Sequence, residues 1–104
     1  MNKIKVGGIN YNIRKVPFVE VLGDRNNQGC VHFLTNEILV LDTLSQDRTN
    51  QVIIHELVHS IFYEAGIEDE ENIVNRIGHI LHQVLQDNDF SFLKKEKNKW
   101  KKRK

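Results

Sequence analysis

Residues 45–66 read SQDRTNQVIIHELVHSIFYEAG, and this stretch decides the fold because it predicts one long, buried helix. Ser45 is a typical helix N-cap, and Gly66 is the residue type that commonly ends a helix in the left-handed conformation. Between these two residues the apolar side chains cover much of the helix circumference, which is typical of a helix packed on several sides. The stretch therefore predicts a central helix at about residues 46–65.

The middle of this helix carries the motif His55-Glu56-Leu57-Val58-His59. On a helix, residues four apart lie one above the other with Cβ atoms about 5–6 Å apart, so both imidazoles can reach one zinc ion. Glu56 lies slightly to the side, where its carboxylate can hydrogen-bond a water molecule and act as a general base. The motif predicts a zinc site with His55 and His59 as ligands and Glu56 as the catalytic base.

A catalytic zinc site usually has three protein ligands, so a third ligand must come from outside this helix. Gly66 lets the chain reverse, and a clean apolar periodicity predicts a second helix at about residues 69–87. Periodicity alone does not choose among the carboxylates at its start, since Glu70 lies nearest the centre of the apolar stripe and Glu71 lies on its flank. The candidates are Glu68, Asp69, Glu70 and Glu71.

The remaining histidines and the single cysteine are expected to have structural or exposed positions. His79 and His82 follow Glu71 by about 12 and 16 Å along the helix axis, which is too far for a shared metal ion. Their spacing could hold a second metal, but exposed or hydrogen-bonded side chains are the expectation. His32 is likewise expected to be structural or exposed, and Cys30 to be a small apolar core residue in a strand.

The first forty residues predict a small sheet. Gly7-Gly8 is a typical two-residue hairpin turn between alternating apolar and polar segments, whereas residues 18–29 have the composition of a loop. We therefore expect an α+β fold, in which a three- to four-stranded, mainly antiparallel sheet packs on two core helices. The predicted strands are residues 3–6, 9–16, 30–34 and 37–41.

The composition predicts one domain followed by a basic tail. The chain has 104 residues, of which 39% are hydrophobic and 28% are charged, as in ordinary globular proteins. Residues 94–104 contain eight basic residues and one acidic residue, so within the net charge of +1 the rest of the chain carries −6. We expect residues 1–93 to form a single minimal domain and residues 94–104 to be disordered or frayed-helical.

Without a signal peptide or an apolar span, a cytoplasmic location is expected, with no membrane partner.

The layout as a whole resembles a known family. A small sheet, a helix with His-Glu-x-x-His, and then Glu71-x-x-Val74 on a following helix resemble the minimal zincins encoded by phages and prophages. These are similar to the ImmA/IrrE-type metallopeptidases and to the gluzincin core, and the resemblance covers most of residues 3–88. It implies a zincin-like phage protein acting in the host cytoplasm.

The resemblance also implies roles for particular residues. It implies that His55 and His59 are zinc ligands beside the base Glu56 and that a glutamate on the next helix is the third ligand, and the match to Glu-x-x-Val favours Glu71 over Glu70. It further implies that the strand at 37–41 forms the edge of a cleft, along which an extended peptide or protein substrate binds.

These observations predict a zinc-dependent metallopeptidase that hydrolyses peptide bonds. The alternative is a non-catalytic module in which zinc supplements a small core and Glu56 has no role. The tail at 94–104, with Trp100 among its basic residues, could bind nucleic acid or an acidic partner, or could be a solvated end.

Overall fold

A computed structural model describes residues 2–94 of the chain. Its elements follow in the order of six strands, two helices and a short 3-10 helix at Ser91–Leu93. This is the α+β architecture predicted from the sequence. The strands are β1 (Lys3–Val6), β2 (Ile9–Val16), β3 (Val19–Val21), β4 (Asp24–Asn27), β5 (Gly29–His32) and β6 (Glu37–Leu41), and the helices are α1 (Gln46–Ala65) and α2 (Glu71–Asp87).

Four of the strands form one mixed sheet in the order β1-β2-β6-β5. The pairs β1–β2 and β5–β6 are antiparallel, and β2–β6 is parallel, with Ile13 opposite Ile38. The sheet is therefore four-stranded and mainly antiparallel, as predicted.

The strand at 37–41, which the resemblance implies is the cleft edge that pairs with a substrate peptide, is not available for such pairing. β6 lies between β2 and β5 and is hydrogen-bonded on both sides, so the edge strands of this sheet are β1 and β5. The physical reason is visible in β6 itself, where Ile38, Leu39 and Val40 are all buried. An uninterrupted apolar run suits an interior strand covered on both faces, whereas an edge strand more often alternates.

The loop predicted for residues 18–29 is also wrong, because most of this segment is the β3–β4 hairpin. Leu22 and Gly23 form its turn with φ angles of 52° and 83°, the left-handed pair that matches the twist of two joined strands. Val19 anchors the hairpin, since it is fully buried. The sequence of β4 is Asp-Arg-Asn-Asn. Because Asp and Asn are uncommon in strands, the composition of this segment predicts a loop instead.

The helix α1 has the bounds predicted for it. Ser45 caps its start, with Oγ accepting a hydrogen bond from the backbone N–H of Arg48 at 3.2 Å, and Gly66 ends it with a φ of 70°. The helix α2 begins at Glu71, two residues later than predicted. Asp69 therefore lies in the connection between the helices, where its side chain can turn back toward α1.

The core lies between the sheet and one face of α1. Tyr11, Ile38 and Val40 are fully buried there and cluster with Val52 of α1. The helix α2 packs mainly against α1 and buries only Val74 and Gly78, while much of its apolar stripe stays exposed. Few buried apolar contacts therefore attach α2 to α1, so a ligand held by residues of both helices would add to that attachment.

Apart from Lys94, the basic tail at 94–104 lies outside the described residues, and so do the predictions made for it. Within residues 2–94, neither helix is long and apolar enough to cross a membrane.

Candidate metal centre

The helix α1 and the first residue of α2 bring three metal-ligating side chains together. One helical turn separates His55 from His59, and their Nε2 atoms lie 3.3 Å apart. The carboxylate of Glu71 places one oxygen 2.8 Å from His55 Nε2 and the other 3.0 Å from His59 Nε2. His55, His59 and Glu71 therefore lie close enough to bind one metal ion.

The spacing of these donors fits tetrahedral coordination. Ligand atoms at 2.0–2.1 Å from a tetrahedral metal are about 3.3–3.4 Å from one another. The separation of 3.3 Å between the two imidazole nitrogens matches that value, and the two carboxylate contacts are slightly shorter. Glu71 is exposed at the start of α2, so a small movement of its side chain is enough to lengthen these two contacts to the tetrahedral spacing.

Of the four candidate carboxylates, the structure brings Glu71 to the Nε2 atoms of both histidines. Glu70 is the residue before α2, in an extended conformation and exposed, and Glu68 is exposed in the connection. Within residues 2–94, neither of them belongs to the group that could hold a metal ion. From the first position of α2, the side chain of Glu71 reaches across the connection to the Nε2 atoms on α1.

Asp69 has a role that the sequence did not reveal. Its Oδ2 lies 2.6 Å from His59 Nδ1. In the tautomer in which Nδ1–H donates to this carboxylate, Nε2 keeps its lone pair and faces the other two donors. The placement of Asp69 inside a helix concealed this contact. The signal that could have found it is a carboxylate in the short connection that follows the second histidine.

Replacing Asp69 with Ala should weaken metal binding by about 10–100-fold, because the imidazole of His59 loses the group that orients it and raises its basicity. The measurement is a zinc titration in competition with a chromophoric chelator. Glu68→Ala is the matched control, since Glu68 lies next to Asp69 in the same connection and is exposed. Equal affinity for the Asp69→Ala variant and the parent chain would show that the contact has no part in metal binding.

Glu56 is buried beside this cluster, with 7% of its surface exposed. Burial raises the pKa of its carboxyl to about 7, His59 opposes that rise, and the nearby carboxylates of Glu71 and Asp69 add to it. A carboxyl group with a pKa near neutrality can both take up and release a proton at pH 7. Glu56 is thus a carboxyl poised for proton transfer beside the metal-ligating group.

The backbone of β5 passes directly against Glu56 at Gly29. A Cβ atom added to Gly29 would lie 2.4 Å from Val52 Cγ1 and 3.5 Å from Glu56 Cγ. Only glycine allows this approach, so Gly29 holds the edge strand against the part of α1 that carries the motif.

Replacing Gly29 with Ala should destabilise the chain by about 1–3 kcal/mol, because β5 or Val52 must move to make room. Gly78→Ala is a contrasting control, since a Cβ there would lie 3.6 Å from His55 Cα, in ordinary contact. That change should stabilise α2 by up to about 1 kcal/mol through helix propensity. Urea unfolding of both variants measures the difference, and equal stabilities would contradict the close approach.

A cleft of about 610 Å³ opens between the edge strand β5, the helix α1 and the helix α2. The cluster and Glu56 line one end of it. Cys30 also lines the cleft, and burial, assisted by Glu56, raises the pKa of its thiol, so this side chain stays protonated at neutral pH. His32 is exposed, as expected.

His79 and His82 line the same cleft but are not members of the group of three ligands. His79 is exposed, which agrees with the prediction. His82 is partly buried, and its Nε2 is a buried atom without a hydrogen-bond partner among residues 2–94. The prediction that they stay apart from the metal-ligating group is therefore consistent with their positions.

Comparisons with known protein families, with curated proteins and with solved structures find no match for this chain. The similarity to zincins therefore remains a prediction that rests on the motif and on the layout of the elements around it.

Proposed function

We propose that this chain is a zinc-dependent metallopeptidase that hydrolyses peptide bonds with Glu56 as the general base. One observation carries the proposal. The donors of His55, His59 and Glu71 converge on a single point, and Glu56 is buried beside them on the same helix. The three ligands alone would fit a structural metal site as well as a catalytic one. The buried carboxyl group beside them favours the catalytic site, because a structural site does not require a proton acceptor.

The donor set supports zinc as the metal. Two imidazole nitrogens and one carboxylate oxygen are a known ligand set of catalytic zinc sites, which keep a fourth position for water or substrate. Structural zinc sites usually have four protein ligands, and the group found within residues 2–94 has three. Bound zinc would supply Lewis acidity, which lowers the pKa of a water molecule and polarises a carbonyl group.

Glu56 would move the protons of the reaction. Its carboxylate takes a proton from the attacking water and returns it to the leaving amine when the peptide bond breaks. Burial raises the pKa of this carboxyl, which favours uptake of the proton from the attacking water.

The edge strand β5 supports a peptide as the substrate. One side of β5 is paired with β6, and residues Gly29 to Val31 line the cleft. An extended peptide can add to such an edge through backbone hydrogen bonds, which places its carbonyl groups in a row beside the metal-ligating group. We therefore assign substrate binding to β5, because of the two edge strands, β1 and β5, it is the one that lines the cleft.

A non-catalytic, zinc-stabilised module is the second candidate, and one observation favours it. The helix α2 buries only two residues, so a metal shared by Glu71 and the two histidines would add to its attachment. In that case Glu56 would be dispensable and no peptide would be cut.

The test is to measure zinc content and cleavage of a mixed peptide substrate for the parent chain and for Glu56→Gln. The peptidase proposal expects zinc in both proteins, cleavage by the parent chain alone, and loss of that cleavage with a chelator. Zinc in both proteins with cleavage by neither would support the module instead.

A further inference from the structure

The cleft extends well beyond the metal-ligating group, and its far end is built differently. Arg48 lines that end and lies on α1 seven residues before His55. Seven residues are almost two helical turns, so both side chains leave the same face of the helix, about 10 Å apart along its axis. The floor of the cleft therefore has metal ligands at one end and a guanidinium group at the other.

The guanidinium of Arg48 is available for a ligand. Arg14 is paired with Glu37 at 2.8 Å, and Arg25 lies over the ring of Phe18, but Arg48 makes no ion pair with any residue that the structure describes. An unpaired guanidinium that lines a cleft is a strong donor for carboxylate or phosphate groups.

Gln51, three residues after Arg48 on α1, also lines the cleft, and its side-chain amide offers a hydrogen-bond donor rather than negative charge. The carboxylates that line the cleft are Glu56 and Glu71, and both lie at the metal end. Gln51, His79 and His82 line the cleft with Arg48, and His82 Nε2 is buried without a partner in the described part of the chain. The Arg48 end of the cleft floor therefore has positive charge and an amide donor, and the acidic residues that line the cleft lie at the other end.

We propose that this end of the cleft binds a carboxylate of the substrate. The distance defines the substrate class, since an extended peptide advances about 3.3 Å per residue and about 10 Å corresponds to three residues. The preferred substrates are then peptides with a carboxylate about three residues from the bond that is cut. The carboxylate is either an Asp or Glu side chain or the free C-terminus of the peptide. This inference rests on the proposed peptidase function.

The first experiment uses two random peptide pools that differ only in Glu against Gln at fixed positions. The parent chain is incubated with zinc and each pool, and the products are sequenced to locate the cut. Glu should be enriched about three residues from the cut, and the preference should fall roughly fivefold in Arg48→Gln. Arg48→Lys should keep part of it, and Arg76→Gln is the matched control because Arg76 is exposed on α2 outside the cleft.

The second experiment measures binding without cleavage. Zinc-loaded Glu56→Gln protein is titrated into fluorescent peptides from each pool, and anisotropy gives the Kd. The acidic peptides should bind about fivefold more tightly than the Gln peptides, and Arg48→Gln should remove that difference. Peptides with free and with amidated C-termini separate a terminal carboxylate from an acidic side chain.

The outcomes separate this inference from the proposed function. Arg48-dependent binding of acidic peptides without any cleavage would support the carboxylate site and contradict the peptidase. Cleavage with no acidic preference, unchanged in Arg48→Gln, would support the peptidase and overturn the carboxylate site. Circular dichroism of the Arg48 variants checks that they fold like the parent chain.

Discussion

Glu56→Gln should retain zinc and lose peptide cleavage by about 10²–10⁴-fold, the range that a positioned general base contributes. The amide has nearly the shape of the carboxyl group but cannot take a proton from water. Glu56 lies outside the group of three ligands, so its replacement should leave the metal content unchanged. The measurements are metal analysis by mass spectrometry and initial rates on a peptide that the parent chain cuts.

The matched control for this change is Glu70→Gln, since Glu70 is an exposed glutamate near the site that the structure leaves outside the metal-ligating group. That variant should keep both zinc and activity. A Glu56→Gln protein that cleaves as fast as the parent chain would exclude the mechanism. Loss of zinc from the variant would instead mean that Glu56 is itself a ligand.

Removal of the metal should lower the stability of the chain by about 4 kcal/mol if zinc had been present at a thousand times its Kd. The ligands join α1 to the start of α2, and α2 otherwise buries only Val74 and Gly78. Urea unfolding with and without EDTA, followed by far-UV circular dichroism, measures the change. In Glu71→Gln the effect of EDTA should be much smaller, whereas Glu70→Gln should respond like the parent chain.

The same experiment distinguishes a catalytic from a purely structural metal. The sheet and its face of α1 form a core around Tyr11, Ile38, Val40 and Val52, none of which belongs to the metal-ligating group. The peptidase proposal therefore expects the metal-free chain to keep most of its secondary structure. A metal-free chain that is fully unfolded at neutral pH would favour the zinc-stabilised module.

The parts of the fold that could be predicted from sequence are those with local causes. Ser45 and Gly66 mark the two ends of α1 because capping depends on one or two residues, and the histidine spacing follows from helical geometry. The position of β6 inside the sheet could not be predicted, since it depends on a parallel pairing with β2 across more than twenty residues. The β3–β4 hairpin was concealed because its polar residues have low strand propensity.

The candidate site also combines features that have local causes with features that depend on the tertiary structure. The helical positions of His55, Glu56 and His59 follow from the motif, whereas Asp69 reaches His59 only because α2 starts at Glu71. A shift of two residues at a helix start is within the usual uncertainty of a boundary, yet it changes which carboxylate can turn back toward α1. The composition of the cleft end around Arg48 depends on tertiary packing and has no local signal.

The short connection between the two helices has a consequence for the order of folding. All three metal ligands lie between residues 55 and 71, in a helical hairpin whose contacts are close in sequence. By contrast, the strand β5 meets α1 at Gly29 and Val52, which are 23 residues apart, and β2 pairs with β6 across 25 residues, so both contacts close longer loops than the helical hairpin does. We therefore expect the ligands to meet on a faster timescale than the strand that faces them, so that the chain can capture its metal before the cleft exists.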